Sequence, residues 1–261
     1  MVISDDELLS INRAILLRYG IDFTNYEVSS LRRRVSRVVD KYSLESSFDL
    51  WRKILRETDF IHTYINEITV GLTEMFRNPE LWLRIRKELL PLLAHQEQIK
   101  IWHAGCSTGE EVYTMGIVLA ESGLAPRTKG LATDVNSDFL VQARQGRYDA
   151  ELLPKYKENY RSFNPTGSFE HYYRPQGASI IMQPHVVGHL NFLHHNLTNP
   201  APDQEFDIIF CRNVMIYFDE KLKLRLLQQF SQALRPNGFF IIGYFDALPP
   251  HNNEFFKLHD P

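Results

Sequence analysis

The segment Lys100-Ile-Trp-His-Ala-Gly105-Cys-Ser-Thr-Gly109-Glu-Glu111 holds the residues best suited to ligand chemistry. A short apolar run ends at Gly105, and Gly109 opens a stretch whose pattern predicts a helix. Glycine in such a turn permits a tight backbone and lets a ligand reach the main chain without a Cβ in between. Three nucleotide chemistries use turns of this kind. A polyphosphate loop ends in Gly-Lys-Ser/Thr, but here Gly109 is followed by Glu110, so the phosphate-binding lysine is missing. The Gly-x-Gly-x-x-Gly pattern of dinucleotide sites is also unmatched, and two glutamates at a helix start repel a pyrophosphate. A cationic nucleoside without phosphates remains. S-adenosylmethionine, which carries a sulfonium and an ammonium, fits.

Asp134 points the same way. It ends a predicted strand over 130–133, where a carboxylate is placed to accept both ribose hydroxyls. It lies 29 residues after Gly105, beyond the roughly 20 of the dinucleotide pattern. The alternative is structural: Gly105 and Gly109 merely make a turn, and Asp134 caps the next helix. Other reactive side chains are sparse. Cys106 and Cys211 have no evident histidine partner and sit at predicted buried strand ends, where small apolar filling is the commoner role. The ten histidines show no metal-ligand spacing, and the neighbours His194 and His195 diverge on a strand, so no metal is expected.

Elements must position these groups. Helical spacing recurs through Leu8, Ile11, Ile15 and Leu16, then Leu31, Val35, Val38 and Val39, then Phe48, Trp51, Ile54 and Leu55, then Phe60, Tyr64 and Ile68. Gly20 closes the first helix and Ser46 or Ser47 caps the third. A helical domain over 1–78 follows. Asn78-Pro79-Glu80 offers a cap, a first-turn proline and an acidic first turn for a helix through Leu81, Ile85, Leu89 and Leu90. Beyond it, short apolar runs at 99–104, 130–132, 206–210 and 239–242 alternate with helical patterns at 110–122, 137–145 and 219–234. That rhythm predicts an α/β doubly wound parallel sheet over 79–261, with functional residues at the carboxyl ends of its strands. Prolines and glycines around Tyr172-Tyr173, Ile180-Ile181 and Val186-Val187 predict a small antiparallel β insertion at about 165–194.

Composition agrees with a globular chain of one or two domains: 261 residues, 44% hydrophobic and 23% charged, which excludes wholesale disorder and fibrous repeats. No apolar run approaches the roughly 18–20 residues of a membrane helix. Met1 to Asp6 is acidic rather than basic-then-apolar, so no secretory signal is expected there. A net charge of −3 argues against bulk nucleic-acid binding, and two cysteines suit a reducing cytoplasm.

Four segments together resemble the CheR family of chemotaxis receptor glutamate methyltransferases. They are Leu72-Thr73-Glu74-Met75-Phe76-Arg77, Ala104-Gly-Cys-Ser-Thr-Gly-Glu-Glu111, Ala132-Thr-Asp134 and Phe206-Asp-Ile-Ile-Phe-Cys-Arg-Asn213-Val-Met-Ile-Tyr217-Phe-Asp219. The resemblance covers nearly the whole chain. It implies a class I (Rossmann-like) methyltransferase fold, S-adenosylmethionine as cofactor, and S-adenosylhomocysteine as product. The family's cofactor contacts fall on Thr73, Arg77, Glu111, Asp134, Asn196, Leu197, Asn213 and Val214, beside the turn at Gly105. Arg77 suits the cofactor's carboxylate and Glu111 its ammonium. Asn196 and Leu197 suit the adenine, and Asn213 with Val214 the methionine side. Arg77 and Tyr217 are the candidate catalytic residues, Tyr217 on the acceptor side. Asn196 and Asn213 have a plainer reading as partners for loop backbone, and Tyr217 as a core aromatic.

From Val28 to Lys41 five basic side chains face a single acid, Asp40. Arg34, Arg37 and Lys41 are expected on one face opposite Leu31, Val35 and Val38. Such a run is ordinarily a solvated face. The resemblance makes it the docking element, with Arg33, Arg34, Arg37 and Lys41 meeting the cytoplasmic helical region of chemoreceptors. Two departures adjoin the expected site: Gly71 where the family usually has Asn, and Gly243-Tyr244-Phe245-Asp246 where it usually has Gly-His-Ser-Glu. They leave room for a non-catalytic cofactor-binding scaffold, or for a methyltransferase acting on another protein or a small carboxylate. The insertion tip, 173–178, is short, which disfavours a receptor tether there.

Overall fold

The computed structural model describes residues 3–249 and 254–257; the outermost ends of the expected domain ranges, 1–2 and 258–261, lie outside the described residues. Four helices come first: α1 (Asp5–Tyr19), α2 (Val28–Lys41), α3 (Ser47–Arg56) and α4 (Phe60–Ile68). Ser4 and Glu7 form a reciprocal capping box on α1, and Gly20 ends it in the left-handed region at φ 68°. The Glu27 carboxylate caps α2 by accepting from the Ser29 and Ser30 amides. Ser46 caps α3. The buried stripe of α3 is Leu50 and Ile54, whereas Phe48 is exposed and stacks on Trp51. The expected face is therefore rotated, because two aromatics cover each other on the surface.

The next helical stretch joins α5 (Pro79–Arg84), a π turn at Ile85–Leu89 and α6 (Leu90–Leu93). Pro91 has no amide to donate and crowds the preceding turn, and the Leu90 amide reaches back to the Ile85 carbonyl in the wider turn. Asn78 does not cap α5. It sits at φ 58° with no side-chain cap, and its Oδ1 instead accepts from Arg212 Nη2 at 2.9 Å.

The main sheet has the order β6-β2-β1-β7-β8, with every pair parallel. Its strands are β1 (Ile99–Ala104), β2 (Thr128–Asp134), β6 (Leu190–His194), β7 (Phe206–Cys211) and β8 (Leu234–Ile242). Both faces are covered, so β7 is buried at all positions. Ile101, Ile208 and Phe210 pack in one cluster with Trp82 and residues of α7 (Glu110–Glu121). Trp102, Ile209 and Cys211 pack in another with Leu226 and Phe230 of α10 (Glu220–Ala233). α8 (Ser137–Gln145) follows β2, and α9 (Leu153–Phe163) packs against α5. From β1 the chain builds outward through β2 to β6, then crosses to β7 and β8. The carboxyl ends of β1 and β7 thus flank the point where strand order reverses, where ligands of such sheets bind.

A second, antiparallel sheet has the order β3-β5-β4, from Arg147–Asp149, Ser179–Met182 and Tyr173–Gln176. The expected insertion at 165–194 is corrected at both ends. Its third strand comes from before the segment, and Leu190–His194 belongs to the main sheet, paired with β2. The helical N-terminal region seats directly on the sheet region. The Glu27 amide donates to the Tyr217 carbonyl at 2.9 Å, the Asp219 amide to the Asn25 carbonyl at 3.0 Å, and Asn136 Nδ2 to Thr69 Oγ1 at 2.9 Å. Among the described residues no helix is long and apolar enough to cross a membrane.

Candidate active site

One cleft opens at the carboxyl ends of β1, β2, β6 and β7, roofed by α2 and the linker after α4. Its floor is the glycine turn. Gly105 sits at φ +82°, and a Cβ there would lie 2.6 Å from Val214 Cγ2, so only glycine lets the two loops close on each other. The Gly105 and Cys106 amides donate to the Thr133 carbonyl at 2.8 Å each, and the Ser107 amide to Asp134 Oδ2 at 2.8 Å. Gly109 serves packing instead: at φ +96° its Cα faces Ala143, 2.8 Å from where a Cβ would sit.

Asp134 does not cap α8; Asn136 does, accepting from the Asp138 and Phe139 amides. The Asp134 carboxylate accepts from two backbone amides, those of Ser107 and Asn136, and keeps lone pairs toward the cleft it lines. Burial pushes its pKa above the ordinary carboxylate range, against the pull of those amides. Beyond β6, Asn196 is buried and its Oδ1 accepts from the Thr198 amide at 3.0 Å. Its Nδ2 is a buried donor without a protein partner, and Leu197 lies beside it on the same wall. A paired backbone explains the Asn196 oxygen and leaves the amide nitrogen unexplained.

The two glutamates of the turn divide. Glu110 points inward, accepting from Thr108 Oγ1 at 2.6 Å and from the Tyr156 hydroxyl at 3.3 Å, and burial raises its pKa. Of the pair, Glu111 lines the cleft and Glu110 does not. Nor is Glu111 a free anion. Its Oε1 meets His103 Nδ1 at 2.9 Å and its Oε2 meets Arg212 Nη1 at 3.3 Å. Burial would raise its pKa, but the His103 hydrogen bond and the Arg212 charge hold it below the usual range.

Arg212 is absent from the residues expected from sequence, although an arginine directly after the buried run 208–211 is itself a signal. Besides Glu111 it donates to the Arg77 carbonyl at 3.3 Å and to Asn78, and its guanidinium lies over the Trp82 ring at 5.4 Å. It fixes the linker that carries Thr73 and Arg77, both of which line the cleft. Arg77 is half-buried, with Nη1 3.3 Å from the Leu72 carbonyl. Asn213 follows with φ 59°, a strained value held from outside the loop. The Asp246 carboxylate accepts from the amides of Asn213, Ile216 and Gly243, tying the loop after β7 to the one after β8. Val214 and Tyr217 complete that wall, with Tyr217 ending a 3-10 turn at Met215–Tyr217. At Gly71 a Cβ would lie 2.9 Å from Phe139 Cζ, so the phenyl ring takes the space a larger residue would need.

The placement of Arg34 is a correction. It is buried, not on an exposed docking face: Nη1 donates to the Ile68 carbonyl at 2.8 Å and Nη2 to Ser30 Oγ at 3.0 Å. Its guanidinium covers the Tyr217 ring, and both residues line the cleft with Tyr26. The reason is helical phase, since Arg34 shares the inner stripe with Leu31, Val35 and Val38. Arg33, Arg37 and Lys41 are exposed, and Lys41 pairs with Glu67 at 2.5 Å. Cys106 and Cys211 are buried free thiols whose pKa values burial drives well up, which suits filling and not nucleophilic attack.

A doubly wound parallel sheet carries a glycine turn with no lysine after it, a carboxylate at the end of β2, and a cleft mixing Arg77, Arg212, Glu111 and Asp134. Its orphaned Asn196 amide and its Cβ-free floor fit an uncharged base and a zwitterionic tail. These features define an S-adenosylmethionine-dependent methyltransferase of the class I, Rossmann-like kind. The chain belongs to the CheR methyltransferase family: the model for its SAM-binding domain matches residues 71–260, and the model for its all-alpha domain matches residues 6–69. A protein named "Putative methyltransferase Cher3" from Pseudomonas putida is 36% identical over 245 residues, spanning 94% of this chain and 90% of that one. "Chemotaxis protein methyltransferase 1" of Vibrio cholerae is 30% identical over 264 residues, spanning 98% of this chain and 94% of that one. Among solved structures, a SAM-dependent methyltransferase from Geobacter sulfurreducens bound to S-adenosyl-L-homocysteine is similar over 68% of this chain and 53% of that one, with a TM-score of 0.37 and 15% identity.

Proposed function

We propose that this methyltransferase esterifies glutamate side chains in the cytoplasmic helical region of chemoreceptors, and works in the cytoplasm. The observation that carries the proposal is the position of α2. Its inner residue Arg34 borders the cleft beside Tyr217, while Arg33 and Arg37 on the same helix are exposed and near enough to Arg34 for their charges to act on it. A docked acidic helix would thereby bring its carboxylates to the reacting centre. Relatives named as chemotaxis protein methyltransferases support the choice of acceptor.

In this reading Arg77 holds the cofactor's carboxylate and Glu111, with lone pairs beyond those given to His103 and Arg212, takes its ammonium. Asp134 accepts the ribose hydroxyls, Asn196 Nδ2 and Leu197 hold the adenine, and Asn213 and Val214 line the methionine side. When bound, S-adenosylmethionine supplies a sulfonium methyl that an acceptor carboxylate oxygen attacks in line, the new C–O bond forming as the C–S bond breaks to leave a neutral thioether. A glutamate with a reference pKa near 4.3 is already ionised at neutral pH, so no residue here must remove a proton. The chain's own work is alignment and exclusion of water, with Arg34 and Tyr217 on the acceptor side. Incubation with tritiated cofactor and purified chemoreceptor cytoplasmic fragments tests this. Label released as methanol by mild base is the expected result; a base-stable label, or none on any fragment, overturns it.

A further inference from the structure

Two aromatic rings at the edge of the cleft have no role in the reading above. Tyr244 is 86% exposed and Phe245 70%, and they meet edge to face with centroids 5.2 Å apart. They occupy the short loop after β8, whose ends are held: Gly243 and Asp246 bracket the pair, and Asp246 grips the Asn213 and Ile216 amides of the neighbouring cleft wall. The rings are therefore displayed on a fixed base beside the mouth. Ile216, partly exposed, and Leu72, 83% exposed on the linker, are the further uncovered apolar side chains among the cleft residues. Large exposed apolar side chains clustered at a site mark a surface that is covered in use.

We infer that Tyr244 and Phe245 form an apolar lip that seats the acceptor, and that this acceptor is an amphipathic acidic helix carrying an apolar side chain one turn from the methylated glutamate. The inference rests on the receptor-methylating reading and adds a specificity determinant to it. The occupant follows from position and charge. The pair is held next to Asn213 and Ile216, which share the cleft wall with Tyr217, and the exposed Arg33 and Arg37 on α2 favour an acidic partner. Residues three or four apart share a helix face, so a helix that sends a glutamate into the cleft brings its neighbour at that spacing against the rim. The Tyr-Phe pair thus selects acceptors whose flanking side chain is apolar.

The test uses the full chain, tritiated cofactor and a panel of chemoreceptor cytoplasmic fragments. The variant Y244S/F245S is expected to raise the acceptor KM about tenfold, as the loss of buried aromatic contact implies, with S-adenosylhomocysteine affinity unchanged to within about twofold. Y244F/F245L, which keeps the apolar surface, controls for folding and is expected to stay within about threefold of the parent KM. An unchanged KM in Y244S/F245S, or KM and cofactor affinity weakening together, overturns the lip. So does sedimentation showing a parent dimer that Y244S/F245S breaks while KM stays the same. If the parent chain methylates no fragment, the receptor reading itself fails and the lip with it; an active parent with an indifferent variant removes the lip alone.

Discussion

The guanidinium of Arg34 lies over the ring of Tyr217 at 4.4 Å from its centroid, joining the second helix of the N-terminal region to the loop after β7. Around it the Glu27 amide meets the Tyr217 carbonyl, and Tyr26 packs edge to face on Phe218. The acceptor-side wall of the cleft is thus assembled from both regions of the chain.

Arg34→Ala removes this clamp. It leaves the Ile68 carbonyl unpaired at a buried site and frees the Tyr217 ring, at a cost of about 2–4 kcal/mol in folding stability. Thermal unfolding reads the stability. Methyl transfer is expected to fall with it, and S-adenosylhomocysteine affinity measured by calorimetry to weaken. An Arg34→Ala chain with parental cofactor affinity and turnover would contradict the arrangement.

Arg33→Glu with Arg37→Glu should separate from that result. Both side chains are exposed, so stability and cofactor affinity are expected to hold. Receptor KM is expected to rise about tenfold or more at low salt, with the difference shrinking as added salt screens the parent's attraction. Steady-state kinetics at two ionic strengths decide it.

Gly105→Ala meets two obstacles, the +82° φ and the Val214 methyl 2.6 Å from the new Cβ. A loss of about 1–3 kcal/mol and at least tenfold weaker cofactor binding are expected. Adding Val214→Ala should recover part of the binding, because it clears the contact while the backbone strain stays. Calorimetry on the single and double variants measures the split.

Glu111 gives a pH signature. Its folded pKa lies below the reference 4.5, so its contribution to stability is full above that value and is lost as pH falls through the folded pKa. Glu111→Gln should cost about 2–4 kcal/mol at pH 7. That gap should narrow below about pH 4.5 as the parent's carboxylate takes up a proton. Asp134, Asp246 and Glu110, whose pKa values burial raises, carry the opposite slope and are common to both proteins, so the difference isolates Glu111. Urea unfolding from pH 7 down to about pH 3 reads it.

Much of this protein was legible as a string of residues. Gly105 and the absence of a following lysine excluded phosphates, because turn geometry and charge at a helix start are local properties. The strand runs and the apolar stripes of α2 and α4 were readable for the same reason, since periodicity of two or 3.6 needs only near neighbours; in α1 Leu8, Ile11 and Ile15 are buried as expected but Leu16 is exposed. Tertiary structure alone decided which charges face inward. Arg34 and Arg37 look equivalent in sequence, yet one turn of helix buries the first against Tyr217 and exposes the second. Glu110 and Glu111 are adjacent, and only packing against Tyr156 and pairing with His103 and Arg212 tell them apart. Leu190–His194 was assigned to an insertion because a short run does not reveal which sheet it joins; its register with β2, a partner some 60 positions away, settles that. Such long-range pairings and burials depend on where the chain returns in space, which no local pattern records.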